Sequence, residues 1–183
     1  MKRTTSKTVL LFYVLMFSLS CDVPDKRTEQ PQTDSTFPSQ DADTVSGRVP
    51  PEGINTVLTE EAWDAYNRRD YKAAIEFADK CINEFLGSAM REQEELMAKK
   101  VPLPPIGAVS NQERQVIVAR GLLNDVATCL YIKGRSLEAE GQKEQAVKVY
   151  KDTAKYTYAR CWDPKGWFWS LSEGALDRLK MLE

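Results

Sequence analysis

Residues 123–158, LNDVATCLYIKGRSLEAEGQKEQAVKVYKDTAKYTY, constrain the fold more than any other stretch of this chain. Leu123, Val126, Ala127, Leu130, Gly134 and Leu137 recur at steps of mostly three or four. After Gly141 the pattern resumes with Ala146, Val147, Tyr150, Ala154 and Tyr158. Each set has the 3.6-residue period of a helix that buries one stripe. The pair therefore predicts two amphipathic helices meeting at a turn around Gly141. Gly134 and Ala146 fall mid-helix, where larger side chains would hold two helix axes apart, so a tight hairpin is expected.

The rest of the folded part reads as further helices. Thr59 is the expected N-cap of a short helix, EEAWDAYN, with two acids in its first turn. After the tight connection Arg68-Arg69-Asp70, residues 71–85 carry Ala74, Ile75, Ala78, Cys81, Ile82 and Phe85 on one face. Residues 88–100 are strong helix formers that either extend this helix or restart after Gly87. The run VPLPPIG at 101–107 must be an extended loop, because proline removes a donor and clashes inside a helix. A single long helix is expected from Asn111 through Val116, Ala119 and Leu123 to about Glu140. Asp163-Pro164 reads as cap and first position of a final helix, 165–182, with Phe168, Leu171, Ala175, Leu176, Leu179 and Leu182 on its apolar side.

Two of these segments resemble a known repeat. The string Asp70-Tyr71-Lys72-Ala73-Ala74-Ile75, and Gly141, Ala146, Val147 and Tyr150 in the second unit, are similar to the turn signature of the tetratricopeptide repeat, a 34-residue helix–turn–helix unit. The resemblance covers residues 56–182, and the two units stand about 72 residues apart because of an insertion at about 87–112. It implies an all-α helical hairpin stack of about five helices, closed by a C-terminal capping helix. It further implies that the first helix of each unit lines a concave, partner-binding surface. Aligned on Ala74 and Ala146, that surface holds Thr59, Trp63, Tyr66 and Asn67, then Tyr131, Arg135 and Glu138. The expected partner-binding set is Trp63, Tyr66, Tyr131, Arg135 and Glu138. Some such domains grip a terminal carboxylate with Lys and Asn. Those places hold Thr59, Trp63, Tyr131 and Arg135 here, so that clamp is missing. An aromatic face with one arginine suits an extended peptide.

The first fifty residues have another character. Lys2, Arg3 and Lys7 precede an apolar run at 8–20, which reads as a signal peptide over 1–20 and is short for a membrane span. Ser18-Leu19-Ser20-Cys21 resembles a bacterial lipobox, although Ser18 stands where Leu is usual. The resemblance implies acylation of Cys21 and a lipid anchor in the cell envelope, each buried methylene contributing about 0.8 kcal/mol. By similarity to lipoprotein sorting in enteric bacteria, Asp22 favours the inner membrane. A plain secretory signal is the alternative, leaving the chain periplasmic or secreted. Residues 21–51 combine five prolines with six acids and five apolar residues beyond Cys21, a composition that cannot repay the entropy of ordering. They are expected to be a disordered tether averaging roughly 30 Å in span, before a folded domain at 52–183.

Charge and chemistry narrow the function. Net charge is −2, so nothing draws the chain to nucleic acid, and it contains no histidine, the usual general base and metal ligand. Beyond Cys21, Cys81, Cys129 and Cys161 remain, with no Cys-x-x-Cys spacing for zinc or redox chemistry. Cys81 and Cys129 fall on apolar stripes as buried thiols, with a disulfide involving Cys161 as the other possibility. Glu92, Glu94 and Glu95 read as a solvated face. Asn124-Asp125, a polar pair inside an apolar helix, predicts a buried hydrogen bond to a neighbouring helix. Trp162, Trp167, Phe168 and Trp169 are either packing for the last helix or a platform for sugar rings. No metal or cofactor is expected. The leading reading is a non-enzymatic, membrane-tethered adaptor for another envelope protein. A carbohydrate-binding accessory protein using Trp162, Trp167 and Trp169 comes second, and an enzyme component third.

Overall fold

In the computed structural model, residues 53–182 are described. The apolar run at 8–20, Cys21 and the proline-rich stretch to Pro51 lie outside the described residues. Six helices follow one another: α1 (Ile54–Asn67), α2 (Tyr71–Ala98), α3 (Asn111–Val118), α4 (Gly121–Ala139), α5 (Lys143–Thr153) and α6 (Leu171–Leu182). Between α5 and α6 stand two short strands, β1 (Arg160–Asp163) and β2 (Trp167–Ser170). Helix makes up 71% of the described residues, in line with an all-α chain.

The organising element is α4. Every residue from Val126 to Ile132 is buried, so α4 is enclosed on all sides, as a helix apolar around its circumference must be. It packs against α1, α2, α5 and α6. Its approach to α5 is set by Gly134, where an added Cβ would stand 2.6 Å from the Tyr150 ring. Ala146 and Tyr150 are fully buried opposite it. At the end of α4, Gly141 takes a left-handed φ of 76° while Gln142 donates to the Leu137 carbonyl and Gly141 to that of Glu138. This paired pattern reverses the chain into α5. The same closing pattern ends α1 at Arg69 and α2 at Lys100, where non-glycine residues carry φ of 63° and 51°.

Four expectations need correction. First, Thr59 does not cap α1. The helix begins at Ile54, and buried Thr59 donates its hydroxyl to the Asn55 carbonyl instead. Ile54 and Leu58 pack on the core, so tertiary burial adds a turn that capping preference alone would not. Second, the long helix from Asn111 to about Glu140 is two helices meeting at 74°. Asn124 Nδ2 donates to the Ile117 carbonyl at 2.8 Å, beside the Arg120 N–H, and Ser110 and Glu113 form a reciprocal cap at the start of α3. That division makes six helices where about five were expected. Third, α5 stops at Thr153, so Tyr158 lies beyond it and donates its hydroxyl to the Val101 carbonyl at 2.6 Å.

The fourth correction is the largest. The final helix begins at Leu171, not at Lys165, and residues 160–170 form a β-hairpin. Asp163, Pro164, Lys165 and Gly166 make its turn. Gly166 donates to the Asp163 carbonyl at 2.9 Å, the Asp163 side chain accepts from Lys165 N–H, and Gly166 has φ 108°. Proline second in such a turn and glycine at its end are the preferred occupants. Residues 88–100 simply continue α2, which reaches 28 residues, and the 101–107 loop is extended as expected. Its last residue, Gly107, exchanges both backbone hydrogen bonds with Phe168.

Candidate functional site

The expected partner-binding residues come from two helices. Trp63 and Tyr66 sit one turn apart on α1, and Tyr131, Arg135 and Glu138 follow at four and three residues on α4, so each set shares one helix face. Asp125 helps fix the angle between these helices. Its carboxylate accepts from Asn55 at 2.6 Å and Thr56 at 3.0 Å on α1, the bond that the polar pair in the sequence predicts. Burial raises the Asp125 pKa, partly offset by these donors.

The structure draws these residues into one strip. Trp63 and Tyr66 pack edge to face at 5.8 Å, and the Arg135 guanidinium lies 5.6 Å from the Tyr66 ring centre. Tyr131 continues the strip inward, contacting Tyr150 at 6.0 Å and Trp169 at 5.1 Å. Trp63, Tyr66 and Arg135 are half-buried. Tyr131 is buried and forms a wall of the strip, with little surface of its own. Glu138 is occupied within the fold, accepting from the Tyr150 hydroxyl at 2.8 Å and pairing with Arg178 of α6.

Arg135 is the exposed chemistry of this strip. Among the described residues it forms no ion pair, because Glu138 is taken by Arg178. Burial opposes its charge, but the hydroxyl of Tyr131 and the neighbouring Tyr66 and Tyr150 outweigh that and hold its pKa above the ordinary arginine value. An arginine fixed between aromatic rings without a carboxylate retains its capacity to bind one.

The tryptophans of the hairpin are divided. In the β1–β2 register Trp162 faces Phe168 and Asp163 faces Trp167, so Trp162 lies on one face while Trp167 and Trp169 lie on the other. Trp162 packs against Phe168 at 4.9 Å and carries the Arg114 guanidinium 4.3 Å from its ring centre. Trp162 and Trp167 keep 39% exposure each, while Trp169 is half-buried against Tyr131. The hairpin is held by buried Arg160, which donates to the carbonyls of Pro104, Pro105, Thr157 and Ala159. Cys81, Cys129 and Cys161 are free thiols, the first two buried between α2 and α4. Among the described residues no three Cys, Asp or Glu side chains converge as a metal-binding group.

One feature escaped sequence reasoning. Between α2 and α5 runs a groove of about 730 Å³, floored by Leu130 of α4 and walled by Ile82, Leu86, Met90 and Met97 of α2 and Val149 of α5. Met90 and Met97 are 46% and 57% exposed. The signal was the stripe Ile82, Leu86, Met90, Gln93, Met97, which continues helical periodicity through a stretch whose acids read as wholly solvated. Of those acids Glu92 is half-buried, and burial raises its pKa, while Glu94 and Glu95 are exposed. Comparison of the chain with protein-family models, with curated proteins and with solved structures finds no match.

Proposed function

We propose that this chain is a non-enzymatic adaptor, a tetratricopeptide-like helical stack tethered to the envelope membrane, whose α1–α4 face binds an extended segment of another protein. The helix packing supports the stack. Helix α1 pairs with α2, α4 with α5, and α1, α4 and α6 adjoin in succession, the order that a repeat of helix pairs with a terminal cap requires. The tether and the lipid anchor at Cys21 rest on the sequence of residues 1–51.

One observation carries the binding reading: Arg135 stands half-buried among Tyr66, Tyr131 and Tyr150 without an acidic partner among the described residues. Trp63 and Tyr66 beside it supply rigid apolar area, the composition in which interface energy concentrates. The bound segment then carries an acidic group for Arg135 and an apolar side chain for Trp63. The carbohydrate reading has weaker support, since Trp162 and Trp167 face opposite ways and Arg114 covers the Trp162 ring. Crosslinking in whole cells tests the proposal. Wild type should capture one defined partner, and Trp63→Ala and Arg135→Ala should each lose it while circular dichroism stays helical. Capture that survives both substitutions, or depends on Trp167 instead, overturns the reading.

A further inference from the structure

Two thiols of the core stand together on neighbouring helices. Cys81 of α2 and Cys129 of α4 are both fully buried in the same apolar cluster. At this level the two helices run antiparallel. Lys133 of α4, one turn beyond Cys129, reaches Asp79 of α2, two residues before Cys81, at 2.5 Å. Ala74 and Ala78 of α2 and Ala127 of α4 are also fully buried, and side chains this small let the helix axes approach closely. From α1 the Thr59 hydroxyl comes within 3.3 Å of the Cys129 sulfur. The two thiols hydrogen-bond to each other, and Thr59 reaches both sulfurs. The proposed peptide site uses neither cysteine.

A disulfide forms only where two cysteine side chains face each other at close approach, and these two do. We infer that Cys81 and Cys129 are joined by a disulfide in the mature chain, a covalent tie between α2 and α4. That the bond forms in cells rests on the envelope reading, since exported chains meet disulfide oxidants. The oxidant is itself a disulfide, of an exchange protein or of glutathione. One cysteine thiolate attacks it, forming a mixed disulfide and expelling one thiolate. The other cysteine then attacks its partner's sulfur, forming the Cys81–Cys129 bond and expelling the second. The pair loses two electrons and two protons, and the oxidant leaves as two thiols. Exchange takes place as the chain folds, because the finished core seals both sulfurs from solvent. Cys161, on β1 beside Thr128 and Trp169, is left as the free thiol, as an odd number of cysteines beyond Cys21 requires.

The test traps thiols in the full chain with acid and N-ethylmaleimide. Trapping is done directly from cells, and again after the purified chain is reduced, unfolded and refolded with oxidised and reduced glutathione. Trypsin releases Cys81 in residues 81–91, Cys129 in 121–133 and Cys161 in 161–165, so mass spectrometry reads each cysteine separately. We expect 81–91 joined to 121–133 in both samples, with Cys161 alkylated. The bond closes a loop of about 48 residues, so reducing it should lower the melting temperature by about 10 °C. Cys81→Ala or Cys129→Ala should each abolish both the joined peptide and the response to reductant. Joined peptides found only after refolding uphold the pair and contradict the envelope reading instead. Alkylation of both cysteines after refolding, a glutathione adduct that persists on either, or a bond to Cys161 overturns the inference. So does a wild-type melting temperature that is equal with and without reductant.

Discussion

Two arginines, Arg160 and Arg135, stand in opposite situations. Neither is ion-paired among the described residues. Arg160 is 4% exposed, and its donors are used up on four backbone carbonyls that belong to the proline loop and the turn before β1. Burial lowers its pKa, yet an arginine at such a site keeps its proton and acts as a staple. Arg135 has rings around it and no carbonyl cage, and its charge is half open to solvent. A charge whose hydrogen bonds are all made inside the protein contributes to stability. One held in place with donors to spare is available to a ligand.

The comparison fails most visibly if Arg160 can be removed cheaply. Arg160→Met leaves the carbonyls of Pro104, Thr157 and Ala159 without their donor in a buried corner, and should cost about 3 kcal/mol or more. Urea denaturation measures this, and a loss under about 1 kcal/mol would mean that the corner is held by something else. Arg135→Gln should change the same denaturation midpoint far less.

The floor of the Arg135 strip offers the next test. Gly134→Ala drives a methyl group into the Tyr150 ring, which is fully buried and bonded to Glu138, so it cannot step aside. We expect a loss of about 1–3 kcal/mol by calorimetry, even though alanine is the better helix former by about 1 kcal/mol. An unchanged melting temperature would show that α4 and α5 do not approach at this point.

Lys100 tests the Arg160 side, where the chain enters the proline loop. Its φ of 51° is one that glycine adopts without strain, so Lys100→Gly should stabilise by up to about 1 kcal/mol. Destabilisation would mean that the lysine side chain contributes more than its backbone costs.

Asp125 tests the joint beneath the aromatic strip through pH. Its carboxyl is held above the usual range, chiefly by burial, so the folded state binds the proton more tightly than the unfolded chain does. The stabilisation from that proton is complete below the unfolded pKa, about 3.9, and is lost as pH rises through the raised folded pKa. Relative to Asp125→Asn, wild type should therefore fare better at about pH 3 than at about pH 7 in thermal melts. A difference that does not vary with pH would remove the burial account.

Much of this arrangement was legible because packing leaves a period in the sequence. The close approach of α4 and α5 at Gly134 was expected from a small residue mid-helix, though not that Tyr150 would fill it, and Asp125 found its donors on α1 as a polar residue in an apolar helix must. The strip from Trp63 to Arg135 was assembled by the alignment of two helices. That Tyr131 is a wall and Glu138 is engaged depended on Trp169 and Arg178, whose approach no local pattern announces. Arg160 was illegible for a different reason, since its acceptors are main-chain carbonyls and every residue has one. The hairpin had a readable turn in Asp163-Pro164-Lys165-Gly166. The same Asp-Pro pair also suits a helix start, and the glycine two residues later decides between them.

The most direct test of the adaptor reading is the affinity of the captured partner for the full chain, wild type against Arg135→Gln, with the melting temperature of each recorded alongside. Truncating a central anchor costs about 2 kcal/mol, so binding should weaken roughly thirtyfold while the melting temperature stays within a few degrees of wild type. Equal affinity for the two proteins, or a loss of binding matched by a loss of folded protein, would contradict the assignment of Arg135 as the open charge of the site.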